Sequence, residues 1–227
     1  VLQTLRALCL GGATFFNFFA VKYLQLAETS AIFFLAPFIV TAMAGPFLGE
    51  WAGPRRWAAI CVGFFGALLI VQPGPAGFQP AMLLSLCATL SYSFYIILTR
   101  HLTLDETAES MTLLPAVIVA LIMTPVGLAV WQPVPDALHW TILLATGLFG
   151  GIGHWVLIKA HEQAPASTLA PDLYLQLIWM VMFGYLVFGD VPGLNTAAGA
   201  AIIVASGLYL FRREKQAKVE ISPPIER

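Results

Sequence analysis

Apolar residues along this chain gather into eight blocks, near residues 4–24, 29–49, 54–72, 79–99, 111–131, 138–159, 166–188 and 193–211. Each block holds roughly 18 to 22 residues, which as a helix rising about 1.5 Å per residue crosses a hydrocarbon core of about 30 Å. The polar and apolar alternation that a β-barrel needs is absent, so helices are what remains to satisfy the backbone in lipid. The pattern predicts an all-α, polytopic membrane helical bundle with eight transmembrane helices.

The blocks also repeat. Glu50 in "FLGEWAGPRRWAAICVGFFGALLI" lines up with Asp190 in "VFGDVPGLNTAAGAAIIVASGLYL", each after a glycine at the end of a block. Upstream, "FFLAPF" pairs with "LYLQLI", "LAETSA" with "QAPAST", and Asn17 and Lys22 with His154 and Lys159. Blocks one to three therefore repeat as blocks six to eight, and blocks four and five have no counterpart. Their partners are expected as two helices before residue 1, giving a ten-helix parent of two five-helix repeats. An odd repeat length inserts the second copy upside down. The expected division is residues 1–72 as a first repeat lacking its first two helices, 73–211 as a complete second repeat, and 212–227 as a basic cytoplasmic tail.

Composition places the chain in the membrane class: 59% of residues are hydrophobic, 10% are charged, and the mean hydropathy is +0.84. If all eight blocks span, ten of the eleven lysines and arginines fall on one side: Arg6, Arg55, Arg56, Arg100, Lys159, Arg212, Arg213, Lys215, Lys218 and Arg227. Lys22 stands opposite, and the bias assigns the crowded side, with the C-terminus, to the cytoplasm. Cys9, Cys61 and Cys87 lie inside apolar blocks and imply no disulfide framework. No basic cluster points to nucleic acid, and no motif points to a cofactor or a metal. The chain opens on Val with nothing resembling a cleaved signal, so it is expected to begin inside a longer protein.

With these residues in view the chain resembles the drug/metabolite transporter superfamily, in its EamA family of ten-helix inverted-repeat carriers. The resemblance rests on "LAETSAIFFLAPFIVTAMAGPFLGE" with "RRWAAICVGFFGALLI", and on "APASTLAPDLYLQLIWMVMFGYLVFGDVP" with "GAAIIVASGLYLFRRE". It extends to about residue 213, and within the family the chain looks most like bacterial riboflavin and S-adenosylmethionine carriers. The resemblance implies a secondary transporter of a small organic metabolite, working by alternating access in the bacterial inner membrane. Two features depart from it: the first two helices are absent, and Leu177 stands where the first repeat has Pro37.

Candidate chemistry centres on Asp172. Pro171 cannot donate a backbone hydrogen bond and its ring crowds the preceding turn, so the seventh helix should kink or restart there, about 12 Å along its axis. Asp172 then either stabilises a local helix start, worth about 0.3 to 1 kcal/mol, or faces an aqueous path, where carriers place groups on discontinuous helices. His154, on the preceding helix at comparable depth, is expected to pair with it directly or through water, able to change charge near neutral pH. Tyr174, Gln176 and Trp179 on the same helix, with Tyr92 and Tyr95 in the fourth block, offer aromatic faces for a planar solute, or pack structurally. Asn17 is a further substrate-path candidate. Glu50 and Asp190 read as structural acids that fix helix ends, and the pairs Gly45/Gly49 and Gly147/Gly151 as close-packing positions.

Enzyme signatures are poor: "HEQAP" lacks the second histidine of a zinc motif, and "GGIGHW" lacks the spacing of a dinucleotide loop. The expected partners are a small-molecule substrate and the lipid bilayer, with homo-oligomerisation left open. Two other classes stay open, an intramembrane enzyme using His154 and Asp172, and a membrane scaffold without a solute.

Overall fold

The structure, a computed structural model, describes residues 1–24, 26–72, 79–129, 131–189, 191 and 193–221. Its helices are α1 (Leu2–Val21), α2 (Leu26–Phe33), α3 (Ala36–Leu48), α4 (Pro54–Val71), α5 (Met82–Leu102), α6 (Ala108–Ala129), α7 (Ala137–Gln163), α8 (Ala166–Leu169), α9 (Leu175–Phe183) and α10 (Leu194–Ile221). A 3₁₀ turn, Ala170–Tyr174, joins α8 to α9, and a π-helical turn, Gly184–Phe188, follows α9. Seven segments are long and apolar enough to cross a membrane, and an eighth apolar stretch, Leu194–Tyr209, is shorter. α10 runs on as helix to Ile221, so the expected tail begins as a helical extension, and residues 222–227 lie outside the described residues.

Local chemistry explains the boundaries. Pro54 opens α4 at a position whose amide needs no intrahelical partner, and Gly49 closes α3 in the left-handed region at φ 72°. Asp136 caps α7 by accepting from the His139 amide at 3.0 Å. That bond and the His139 ring hold the Asp136 carboxyl below its ordinary pKa, so the cap persists above the usual carboxylate range and is lost as pH falls through the lowered value.

Two spans are broken where the repeat alignment makes them equivalent. The second span breaks at Phe34 and Leu35, with Pro37 in the first turn of α3, and the seventh breaks at the 3₁₀ turn holding Pro171. At the breaks the aligned residues Phe34 and Tyr174 meet: both are buried, their ring centroids lie 5.9 Å apart, and the Tyr174 hydroxyl donates to the Phe34 carbonyl at 3.2 Å.

Inter-helix contacts give the directions. Arg6 reaches Thr99 and Gly12 meets Ser91, so α1 and α5 are antiparallel; Tyr95 meets His154 and Arg100 meets His161, so α5 and α7 are parallel. Ser206 donates to the Ala59 carbonyl at 2.8 Å, while Gly66 meets Gly199, so α4 and α10 are antiparallel. In the repeat alignment Ala59 is equivalent to Gly199 and Gly66 to Ser206. Under that alignment the first contact maps onto the second.

The close-packing glycines are not those expected. A Cβ on Gly199 would lie 2.5 Å from the Gly66 carbonyl oxygen, and one on Gly63 would lie 2.5 Å from the Tyr174 ring. Among the described residues, nothing lies within 4 Å of such an atom at Gly147 or Gly151, and Gly45 faces the Trp51 ring at 2.7 Å. Spacing alone could not tell which face of each helix meets a neighbour.

Candidate functional site: two adjoining cavities

The break in the seventh span lets its backbone turn between two cavities. One, of about 360 Å³, is lined by Asn17 of α1, Phe33 and Phe34, Tyr92 of α5, His154 of α7 and Gln176 of α9. The other, of about 670 Å³, is lined by Tyr92, His161, Leu169, Asp172, Gln176 and Trp179. Tyr92 and Gln176 belong to both, so an aromatic ring and an amide form the shared wall. Six of the eight residues expected along a substrate path thus line one cavity or the other.

The remaining two are corrected by burial. Tyr174 is 1% exposed, with its ring against Gly63 and its hydroxyl spent on Phe34, so it locks the crossing of the broken helices. Tyr95 is fully buried and stands behind two residues of the first cavity, Tyr92, with ring centroids 5.9 Å apart, and His154, whose Nδ1 lies 3.0 Å from the Tyr95 hydroxyl. His154 and Asp172, expected to pair directly or through water, are not in direct contact. Among the described residues no hydrogen bond or ion pair joins them, and they line different cavities.

Behind His154 stands a cation counted at the sequence level only as a topology marker. Arg6 is 1% exposed, within α1. Its Nε donates to Thr99 Oγ1 at 2.7 Å, one terminal nitrogen to the Met111 carbonyl at 2.6 Å and the other to the Tyr95 hydroxyl at 3.1 Å. The guanidinium carbon also lies 4.7 Å from the Tyr95 ring centre. Three donors thus find neutral acceptors in a buried setting that would penalise an unsolvated charge. His161 was likewise passed over. It is buried on the second cavity, its Nδ1 donating to the Leu157 carbonyl at 2.8 Å, and its Nε2 has no partner among the described residues.

At the bundle end where α3, α5 and α7 finish, charged groups close one network. Glu50 accepts from Arg100 Nε at 2.7 Å through one oxygen and from the Ala166 amide at 2.7 Å through the other. Arg100 also donates to the His161 carbonyl at 2.5 Å, and Arg56 donates to Ser167 Oγ at 2.8 Å. Glu50 therefore joins the α3–α4 turn to the start of the broken span. Asp190, its aligned partner, lies outside the described residues. The two side chains of the ion pair are mostly buried, so Glu50→Ala is expected to destabilise the protein by about 2 kcal/mol, because Arg100 is left without its counter-ion. Arg100→Met should cost a similar amount, and a thermal-unfolding double-mutant cycle should show strong non-additivity between the two.

The family model for EamA-like transporters matches residues 3–72 and 79–212. This chain belongs to the EamA-like transporter family. The riboflavin transporter of Brucella anthropi is 30% identical to this EamA chain over 205 residues, covering 86% of it and 71% of the relative. The Rhizobium johnstonii riboflavin transporter is 33% identical, covering 82% of the chain and 62% of the relative. The S-adenosylmethionine uptake transporter of Rickettsia conorii is 28% identical, covering 85% and 65%. The chain thus spans about two thirds of these relatives' length. A protein crystal structure with 19% identity superposes on 92% of the chain and 74% of its own length, at a TM-score of 0.80, which shows the fold. Family and apolar spans together make this EamA chain a multi-pass membrane protein and point to a transporter rather than an enzyme.

Proposed function

We propose that the protein carries a small, planar organic metabolite across the bacterial inner membrane, its solute held in the adjoining cavities between the inverted copies. The observation that carries this reading is the broken seventh span. It places Asp172 and Gln176 on cavity walls faced by Tyr92, Trp179 and His154, so polar tips and aromatic faces converge where the backbone leaves the helical ladder. Relatives named for riboflavin and for S-adenosylmethionine support a solute with a flat heterocycle. The correspondence of the two α4–α10 contacts under the repeat alignment supports a mechanism in which two inverted copies rock about the cavities. Among the described side chains Arg6, Arg55, Arg56, Arg100, Lys159 and Arg212 fall at one end of the bundle and Lys22 at the other, which supports placing the crowded end in the cytoplasm.

The test is uptake of labelled riboflavin and labelled S-adenosylmethionine into proteoliposomes holding the intact gene product, with empty liposomes as control. Saturable accumulation of either, competed by the unlabelled compound, is the expected result. Equal uptake with and without protein for both, and for a wider panel of heterocyclic metabolites, would remove the reading.

A further inference from the structure

The line of groups from Arg6 through Tyr95 to His154 fixes more than packing. A guanidinium carries donors only, so the Arg6 contact makes the Tyr95 oxygen an acceptor. The hydroxyl keeps one proton to give, and the group placed to take it is His154 Nδ1, 3.0 Å away. If Nδ1 carried a proton instead, the Tyr95 oxygen would face two donors and its own hydrogen would be left to Thr99 Oγ1, which already accepts from Arg6 Nε and donates to the Tyr95 carbonyl. Full satisfaction of the line therefore has Nδ1 accepting and the imidazole proton on Nε2. The ring lines the smaller cavity, and no described residue takes up Nε2.

We propose that Arg6 and Tyr95 are positioning residues that lock His154 as the Nε2–H tautomer, making it a fixed hydrogen-bond donor to a solute that presents a carbonyl or ring-nitrogen acceptor in the smaller cavity. Other polar groups lining this cavity are Thr14, Asn17, Thr29, Ser30, Tyr92 and Gln176. Among titratable neighbours, Tyr92 and Tyr95 come from α5 and Arg6 from α1, while Glu109 of α6 is engaged by the Trp155 indole and Asp172 lies on the other cavity. His154 is thus the imidazole of this cavity, held from behind by a chain of donors that runs one way. The solute class rests on the transport reading above, whereas the tautomer does not.

The test is nitrogen-15 NMR of histidine-labelled full-length protein in nanodiscs, the His154 signals being assigned by their loss in His154→Gln. The expected spectrum has the proton on Nε2 and a hydrogen-bonded, unprotonated Nδ1. Tyr95→Phe should remove the Nδ1 hydrogen-bond shift and mix the tautomers, and Arg6→Lys should retain part of it. A protonated Nδ1 in the unaltered protein, or a Tyr95→Phe spectrum identical to it, overturns the proposal whatever the protein transports. Riboflavin, added as an acceptor-bearing probe, should shift Nε2 more than Nδ1 and bind about three- to tenfold more weakly to Tyr95→Phe, the span of one neutral hydrogen bond. Riboflavin binding that leaves Nε2 unmoved overturns the donor role, and failure of riboflavin to bind counts against the solute class alone.

Discussion

Alanine at Gly199 is expected to lower the thermal stability of the purified protein by about 3 kcal/mol, the upper end for overpacking a tight interface. The added Cβ would lie 2.5 Å from the Gly66 carbonyl oxygen, 2.7 Å from Ile70 Cγ1 and 3.2 Å from Leu69 Cβ. The nearest of these is backbone, with no flexible side-chain end to swing aside, so α4 and α10 must separate along their whole seam. Separation also stretches the Ser206 bond to the Ala59 carbonyl. Alanine at Gly66, whose nearest atoms, the Gly199 carbonyl oxygen and Ile203 Cγ1, are 2.9 Å away rather than 2.5 Å, should cost less. Alanine at Gly150, with nothing described within 4 Å, should be neutral or stabilising by up to about 1 kcal/mol, since alanine is the better helix former. Thermal unfolding in detergent checks the order, and a Gly150 variant less stable than the Gly199 variant would refute the seam between α4 and α10 as a tight joint.

The same seam shows what was legible in the sequence. Block lengths and hydropathy located the spans, because crossing a fixed thickness of hydrocarbon sets the length of an apolar run independently of neighbours. Matching Glu50 with Asp190 put Ala59 opposite Gly199 in the alignment, and the structure realises the corresponding contacts. Which glycines approach closely was not legible, because four-residue spacing marks a face without naming the helix across from it. Breaks at Phe34 and at Ala170–Tyr174 were only half legible. Pro171 announced one of them, while the other falls just before Pro37, which serves as a first-turn proline.

The candidate site was legible as residue types and illegible as pairings. Asp172 stood out because an intramembrane acid is costly, and His154 because it sits at similar depth on the neighbouring helix. Depth along an axis says nothing about azimuth, however, and the two side chains turn to different cavities. Arg6 escaped notice for the opposite reason: near a helix start it looks like a boundary charge. Its three acceptors, Thr99, Met111 and Tyr95, come from parts of the chain that only the tertiary fold brings to it. One signal did lie in the sequence. Between the aligned segments the later one has Leu169 to Asp172 where the earlier has Ile32 alone, so Asp172 sits among residues without a counterpart in the alignment, at the break.

That position makes Asp172→Asn the decisive substitution for function. Asparagine keeps the shape and one acceptor oxygen while removing the charge. A role confined to the first turn of the broken helix would lose at most about 1 kcal/mol of stability and leave the solute's KM unchanged. A role on the wall of the larger cavity predicts the reverse: stability within about 0.5 kcal/mol of the unaltered protein, and KM raised about ten- to a hundredfold, the span for a hydrogen bond to a charged group. The size should depend on the solute. S-adenosylmethionine brings cationic centres that a carboxylate attracts, whereas riboflavin offers a neutral ring and hydroxyls, so the loss should be greater for the former. Gln176→Leu, on the wall shared by both cavities, should weaken uptake of either compound by a smaller factor, because only neutral hydrogen bonds are lost. Uptake kinetics in proteoliposomes, read beside thermal unfolding of the same preparations, separate the two roles: an unchanged KM with lowered stability would make Asp172 a helix cap, and the larger cavity would lose its only carboxylate among the described residues as a solute-binding group.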